Sequence, residues 1–331
     1  MERQKICVAG GGSWGSALAH LAACNGHEVT LYLRDEKVCT AINTQHENTH
    51  YLPGLRLHEG VRASTDPAVL STSLLILAIP CQQQRSFLGL HGSRLTPGCT
   101  ILNVAKGIED VSGCTASQFL PGVLEGHAFT YAVLSGPSFA REVLEGQPTA
   151  VVIASTAMDR AEHMQDLLSS ACFRCYTSTD VLGVEIGGAV KNVIAIAAGL
   201  CDGLSIGTNG RAALLTRGLA EISRLGVALG ARGQTFMGLS GLGDLVLTAT
   251  GSLSRNRTLG LALGHGQSLE KACQEIGMVT EGVKTAFAVS KLAARLNVAV
   301  PITDAVCAIL NGTLTAREAS RQLMTRSLGQ E

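Results

Sequence analysis

Lys5-Ile6-Cys7-Val8-Ala9-Gly10-Gly11-Gly12-Ser13-Trp14-Gly15 is the stretch whose reading decides the fold. Lys5 to Ala9 is a short apolar run, read as a buried strand, and an apolar helix is expected from Ser16 to Cys24. Between them Gly10, Gly12 and Gly15 fit G-x-G-x-x-G, with a strand before and a helix after. Gly10 permits a tight turn, Gly12 lets the backbone approach a pyrophosphate, and Gly15 lets helix and strand pack closely. The helix start then turns unsatisfied N–H groups toward an anion. The spacing predicts a dinucleotide-binding turn; the alternative is a glycine turn of purely structural use.

The flanking sequence extends this reading. Gly26 to Leu33 reads as a second strand, followed by Arg34 and Asp35. An acidic residue at that strand end would bond a ribose 2′-hydroxyl, whereas Arg34 suits a 2′-phosphate and leaves Asp35 to cap the next helix. The balance leans to NADP, or to use of either cofactor. Leu74 to Pro80 and Thr100 to Ala105 are continuous apolar strands of the kind a parallel sheet buries on both faces. The second runs into Lys106-Gly107, at the carboxyl edge where such sheets bind ligands. Tyr131 to Leu134 runs into Ser135-Gly136-Pro137-Ser138-Phe139-Ala140, again strand, turn and helix start, and Thr149–Ala154 and Phe173–Thr177 read as further strands.

Past Ser178-Thr179-Asp180 strand runs give way to helical periodicity. The expected fold is therefore an α/β Rossmann-type dinucleotide-binding domain over residues 1–180. An all-α substrate and catalytic domain follows over 181–331, with helices through Ala198, from Asn209 to Leu229, and near 254–263, 280–296 and 302–310. Asp180 or Thr179 is placed to cap the first of these.

That first helix holds one residue out of character, Lys191, in Val184-Glu185-Ile186-Gly187-Gly188-Ala189-Val190-Lys191-Asn192-Val193-Ile194-Ala195-Ile196. Gly187, Gly188 and Ala195 lie about one turn away on the same face, leaving room for a close neighbour. A desolvated lysine loses basicity and can act as a general acid or base near neutral pH. The alternative is a lysine whose stem is buried and whose ammonium reaches water. Asp244 follows a glycine turn, Ser240 to Gly243, and reads either as a helix cap or as a site carboxylate. Ser254-Arg255-Asn256-Arg257 offers hydroxyl, guanidinium, amide and guanidinium at a helix start, which is phosphate-binding chemistry; a solvated turn is the alternative.

Two motifs point elsewhere and are set aside. His46-Glu47-Asn48-Thr49-His50 matches the zinc-peptidase H-E-x-x-H, but the motif needs a helix, and Asn48, Thr49 and Pro53 oppose one. An exposed polar loop without metal is expected there. Cys172-Phe173-Arg174-Cys175 lies in a strand-like run rather than at a helix start and reads as core or edge thiols.

Composition limits the function classes. The chain has 331 residues, enough for about two domains, with 26 basic and 26 acidic side chains. A zero net charge disfavours nucleic acid or an anionic membrane as partner. No apolar run is expected to reach the ~18 residues of a membrane span. The strand beginning near Lys5 leaves no room for a signal peptide, so the eleven cysteines read as free thiols and the cytoplasm as the compartment.

Taken together, these residues resemble the bacterial-type NAD(P)-dependent glycerol-3-phosphate dehydrogenases. The resemblance runs through Gly10 to Gly15, Lys106-Gly107, Ser135 to Glu142, Val184 to Leu200, Gly241 to Asp244, Ser254 to Arg257 and Val279 to Gly282. Gly11 departs from the family's usual alanine. The resemblance implies an oxidoreductase that interconverts sn-glycerol 3-phosphate and dihydroxyacetone phosphate, uses NADP or NAD, supplies phospholipid synthesis and forms a homodimer. It implies that Lys191 is the proton acceptor, and that Lys106, Gly136, Ser138, Asp244, Ser254, Arg255 and Asn256 contact substrate. Cofactor contacts would come from Gly10, Gly12, Ser13, Trp14, Gly15, Arg34, Lys106, Ala140, Arg255, Val279 and Glu281. Lys106 and Asp244 would tune the lysine in opposite senses. Competing classes are a dehydrogenase of a 3-hydroxy acid, a non-catalytic NADP sensor on the same fold, and, from His46 and His50 alone, a peptidase.

Overall fold

A computed structural model describes residues 3–277 and 281–326. Its contacts divide into two compact units: residues 1–106 with 116–184, and residues 107–115 with 185–331.

The first unit is built on eight strands: β1 (Lys5–Ala9), β2 (Glu28–Tyr32), β3 (Val61–Ser64), β4 (Leu74–Leu77), β5 (Cys99–Asn103), β6 (Phe129–Ser135), β7 (Thr149–Ala154) and β8 (Phe173–Ser178). They form one sheet in the order β3-β2-β1-β4-β5-β6-β7-β8. Helices α1 (Ser13–Cys24), α2 (Glu36–Gln45), α3 (Cys81–His91), α4 (Ala116–Val123), α5 (Ala140–Leu144) and α6 (Met158–Leu168) connect them. Pairing is parallel throughout except between β6 and β7, where it is antiparallel. A parallel return needs a crossover of a dozen or more residues, usually a long helix, and the five-residue α5 does not supply one. The core unites Ile6, Val8, Leu31, Ile76, Leu102 and Leu134 of the strands with Leu18, Ile42 and Met164 of the helices. Each such side chain contributes roughly 1.5–3 kcal/mol by leaving water.

Strand β3 is absent from the sequence reading. It is a four-residue edge strand whose Arg62 faces solvent, and its period-2 signal is too short to register. Helix α1 starts at Ser13, three residues earlier than expected, so its free N–H groups begin directly at the glycine turn. Cys175 is buried in β8, where burial pushes its thiol up to about 12, while Cys172 is exposed just before the strand.

The helical run begins with α7 (Val181–Gly203), whose start is capped by Asp180, its Oδ1 accepting the Gly183 N–H at 3.1 Å. The second unit continues through α8 (Thr208–Ala228), α9 (Asp244–Thr250), α10 (Arg255–Gly264), α11 (Leu269–Ile276), α12 (Glu281–Leu296), α13 (Pro301–Leu310) and α14 (Ala316–Met324). Helix α7 corrects one expectation: at 23 residues it is long and apolar enough to cross a membrane by length and composition. It is instead a core helix, with 94% of its most apolar window buried inside the protein. Every residue from Gly183 to Leu200 is buried, so that stretch presents no face to solvent.

Candidate active site

In the sheet unit the glycine turn is fixed by what a side chain would strike. Gly10 has φ +119°, and a Cβ there would lie 2.7 Å from the Ala78 carbonyl oxygen of the neighbouring strand end. A Cβ on Gly15 would press on the Gly10 carbonyl and lie 3.1 Å from Ala78 Cβ. Gly12 differs: a Cβ there would meet nothing within 4 Å. It is also the residue before α1, and no side chain caps that helix start. Gly10 and Gly15 are thus demanded by the fold, whereas Gly12 faces open space beside unsatisfied N–H groups. That is the cradle a pyrophosphate requires. Gly11 is matched to this chain: a Cβ there would sit 2.7 Å from Leu33 Cβ.

The segment carrying H-E-x-x-H supports this turn. His46 ends α2 in the left-handed conformation, so His46 and His50 do not share a helix face. The loop is only partly the exposed one expected, because Asn48 is fully buried. Its Nδ2 donates to the Gly11 carbonyl at 2.9 Å and to Ser16 Oγ at 2.8 Å, and its Oδ1 accepts the Tyr51 N–H. Ser13 Oγ donates to the Tyr51 carbonyl at 3.2 Å. Among the described residues no group of three or more His, Cys, Asp or Glu side chains is placed to hold a metal ion.

Trp14 packs partly buried against the sheet's core, as does Ala140 at the start of α5. Arg34 is exposed just past β2, while Asp35 is committed as the cap of α2, its Oδ1 accepting from the Lys37 and Val38 N–H groups. Lys106, Gly136 and Ser138 come together at the carboxyl edge: Lys106 Nζ donates to the Gly136 carbonyl at 3.2 Å, and Ser138 Oγ donates to the same oxygen at 3.0 Å. Gly136, at φ +141°, is again forced, since a Cβ would lie 2.9 Å from Val151 Cα.

In the helical unit the lysine is buried and paired. Lys191 Nζ donates to Asp244 Oδ1 at 2.6 Å and to Thr248 Oγ1 at 2.6 Å, and all three residues are buried. Thr248 Oγ1 lies 3.3 Å from the same carboxylate oxygen. The approach depends on Gly187, where a Cβ would lie 2.6 Å from the Ser240 carbonyl oxygen. The space expected beside Lys191 is thus taken by the backbone that delivers Asp244. Asp244 is the first residue of α9 and does not cap it; Gly243 stands at the cap. Thr248 was missed in the sequence, although its i,i+4 spacing from Asp244 on one helix face is the signal that would have found it.

Ser254 caps α10, its Oγ accepting the Arg257 N–H at 3.2 Å. Asn256 is buried, and its Oδ1 accepts the Gly282 N–H at 3.1 Å, which fixes the amide's orientation and leaves Nδ2 as its donor end. Glu281 is the first residue of α12, next to that tie. Val279 lies outside the described residues. The expected residues therefore fall into two sets. The glycine turn, Arg34, Lys106, Gly136, Ser138 and Ala140 belong to the sheet unit; Lys191, Asp244, Ser254, Arg255, Asn256 and Glu281 belong to the helical unit.

A bare glycine cradle on a mostly parallel sheet, together with a buried lysine–aspartate pair on helices, is the arrangement expected of dinucleotide-dependent dehydrogenases. The family models described as NAD-dependent glycerol-3-phosphate dehydrogenase N-terminus and C-terminus match residues 5–161 and 180–321. The chain is 54% identical over 330 residues to a glycerol-3-phosphate dehydrogenase [NAD(P)+] of Desulfovibrio desulfuricans, covering 100% of this chain and 99% of that one. It is 48% identical to the protein of that name from Geobacter metallireducens, covering 98% and 97%. The crystal structure of a glycerol-3-phosphate dehydrogenase from Coxiella burnetii superposes with a TM-score of 0.93 at 35% identity, covering 98% and 99%. The chain belongs to the NAD-dependent glycerol-3-phosphate dehydrogenase family.

Proposed function

We propose that this chain interconverts sn-glycerol 3-phosphate and dihydroxyacetone phosphate, with NAD(P) as hydride carrier. The observation that carries the reading is the buried Lys191–Asp244–Thr248 cluster, in the same unit as an arginine- and asparagine-bearing helix start. The names of the family models and relatives support glycerol 3-phosphate as substrate and NAD(P) as cofactor.

Residues 1–180 act as the cofactor domain and 181–331 as the substrate and catalytic domain. When bound, the nicotinamide supplies the hydride chemistry; the residues do the rest. Gly10, Gly12 and Gly15, with the N–H groups of α1, hold the pyrophosphate, and Arg34 takes the 2′-phosphate of NADP. The Arg255 guanidinium forks onto the substrate phosphate, assisted by the α10 dipole, the Ser254 hydroxyl and the Asn256 Nδ2. Lys106, Gly136 and Ser138 are the sheet unit's substrate contacts. Lys191 gives its proton to the C2 oxygen on ketone reduction and takes it back on alcohol oxidation. Burial favours the neutral amine and the Asp244 carboxylate favours the ammonium, so the pair holds the proton available without stranding a charge.

In the cell the chain acts as a cytoplasmic homodimer that supplies glycerol 3-phosphate for phospholipids. The test is initial-rate turnover of dihydroxyacetone phosphate, with NADPH and NADH side by side, against an acetoacetyl or semialdehyde substrate. Preference for the phosphorylated ketone supports the reading. Preference for the 3-oxo acid makes the chain a 3-hydroxy acid dehydrogenase, and no turnover of either makes it a sensor.

A further inference from the structure

We propose that Asp202 is a positioning residue that holds the phosphate-binding start of α10 in register with the lysine helix α7; this rests on the reading of that helix start as the substrate phosphate site. Asp202 is the penultimate residue of α7. Its Oδ2 accepts from Arg257 Nε at 2.9 Å and lies 2.7 Å from Arg257 Nη2, while its Oδ1 accepts from Arg211 Nη1 at 3.2 Å. One carboxylate thus joins the end of α7, the first turn of α8 and the first turn of α10.

Each charge stands at the wrong end of its helix. Asp202 is at the negative end of α7, and Arg211 and Arg257 are at the positive ends of α8 and α10. Helix stability alone selects against all three, so they answer to each other. Exposure of 17–34% of the side chains screens their attraction, and the value of the cluster lies in geometry more than in energy.

The packing beneath shows why geometry is needed. A Cβ on Gly203 would lie 2.6 Å from the Leu261 carbonyl oxygen, and one on Gly264 would lie 2.9 Å from Gly203 Cα. Gly199 faces the Arg257 carbonyl and Gly260 the Ile196 carbonyl in the same manner. Helices α7 and α10 therefore meet backbone to backbone, with few side-chain knobs to set their register. Asp202 and Arg257 supply that lock from the rim. Arg257 is doubly held, by its side chain to Asp202 and by its N–H to Ser254 Oγ, so Ser254, Arg255 and Asn256 stand on an anchored turn. Lys191 lies eleven residues before Asp202 on the same helix, roughly 16 Å at 1.5 Å per residue. The lock thus fixes the span between amine and clamp.

The test is steady-state kinetics of Asp202→Ala, Arg257→Ala and the double variant with dihydroxyacetone phosphate, unphosphorylated dihydroxyacetone and NADH, alongside melting temperatures. Each single variant is expected to raise KM for dihydroxyacetone phosphate about tenfold, which corresponds to 1.4 kcal/mol. Turnover of dihydroxyacetone and KM for NADH should stay within twofold. The double variant should be no worse than either single one, because both break the same contact. Asp202→Glu should recover part of the loss. A lowered melting temperature with KM unchanged, or equal losses on both ketones, would overturn the proposal. Should an alanine variant fail to fold, Asp202→Asn and Arg257→Gln are read by the same criteria. A wild type that does not turn over dihydroxyacetone phosphate overturns the functional reading, and this inference with it; a wild type that does, with Asp202→Ala unchanged, overturns this inference alone.

Discussion

Helices α1 and α10 carry the two helix starts proposed to take anions, and they are built in opposite ways. Helix α1 begins with side chains removed: Gly12 faces open space and no side chain caps the helix. Helix α10 begins with side chains added: Ser254 caps it, and Arg255 and Asn256 follow. In the proposed reading the first arrangement lets backbone reach a pyrophosphate, while the second brings a planar fork and an amide to a single phosphate group. The difference teaches where information lies. A site made of absent side chains is written in spacing, whereas a site made of present ones depends on what orients them, here Gly282 and Asp202.

The largest effect expected on either side falls at Lys191. Lys191→Ala should lower kcat by roughly 10²–10⁴, the range for loss of a general acid–base, and leave NADH affinity unchanged because Lys191 is not among the proposed cofactor contacts. Stopped-flow turnover and NADH fluorescence titration measure the two. A retained kcat near pH 7 would remove Lys191 from the proton path.

The cradle itself gives the next largest effect. Gly12→Ala should leave the melting temperature close to wild type, since its Cβ meets nothing in the protein. It should nonetheless weaken NADH by about 10-fold or more by filling the pyrophosphate's approach, each tenfold being 1.4 kcal/mol. Gly15→Ala should instead destabilise the fold, because its Cβ strikes the Gly10 carbonyl. If both variants lost stability alike, the distinction between fold-demanded and ligand-demanded glycines would fail.

How much of this was legible follows the same division. The βαβ opening, the carboxyl-edge position of Lys106 and the switch to helices near Asp180 were readable because periodicity and glycine spacing are local. Lys191 and Asp244 were readable as oddities, a charge in an apolar helix and a carboxylate after glycines. Their pairing was implied by the resemblance but not by the residues themselves, because it depends on Gly187 admitting the Ser240 backbone across 53 residues of chain. Asn48 was hidden for the same reason: polar residues in a loop look solvated until the loop is seen to fold onto the glycine turn. The antiparallel β7 was concealed because an apolar strand reads the same in either direction.

The smallest effect is a control within the helical unit. Glu221 of α8 accepts the Ile302 and Thr303 N–H groups and the Thr303 hydroxyl, capping α13 from beneath. Burial raises its carboxyl above the usual value of 4.5, against the opposing pull of those hydrogen bonds and of Arg224. Below that value the group is protonated in both folded and unfolded chains and pH has no effect through it. As pH rises, the unfolded chain loses its proton first, so stability is lost until the raised folded value is passed. Thermal melts at pH 4 and pH 7 should show the wild type losing ground to Glu221→Gln as the pH rises. Wild type gaining ground instead would mean that the hydrogen bonds outweigh burial.

The measurement that bears most directly on the division of labour is a two-by-two assay: wild type and Arg255→Ala, each with dihydroxyacetone phosphate and with dihydroxyacetone, at saturating NADH. Charge-assisted hydrogen bonds from Arg255 to the phosphate are worth about 1.5–3 kcal/mol each. The account predicts that Arg255→Ala raises KM for the phosphorylated ketone by roughly 10–150-fold. It predicts that the poor turnover of dihydroxyacetone is nearly untouched. Equal loss on both substrates would contradict it, placing Arg255 with the cofactor or the fold and leaving α10 without its phosphate.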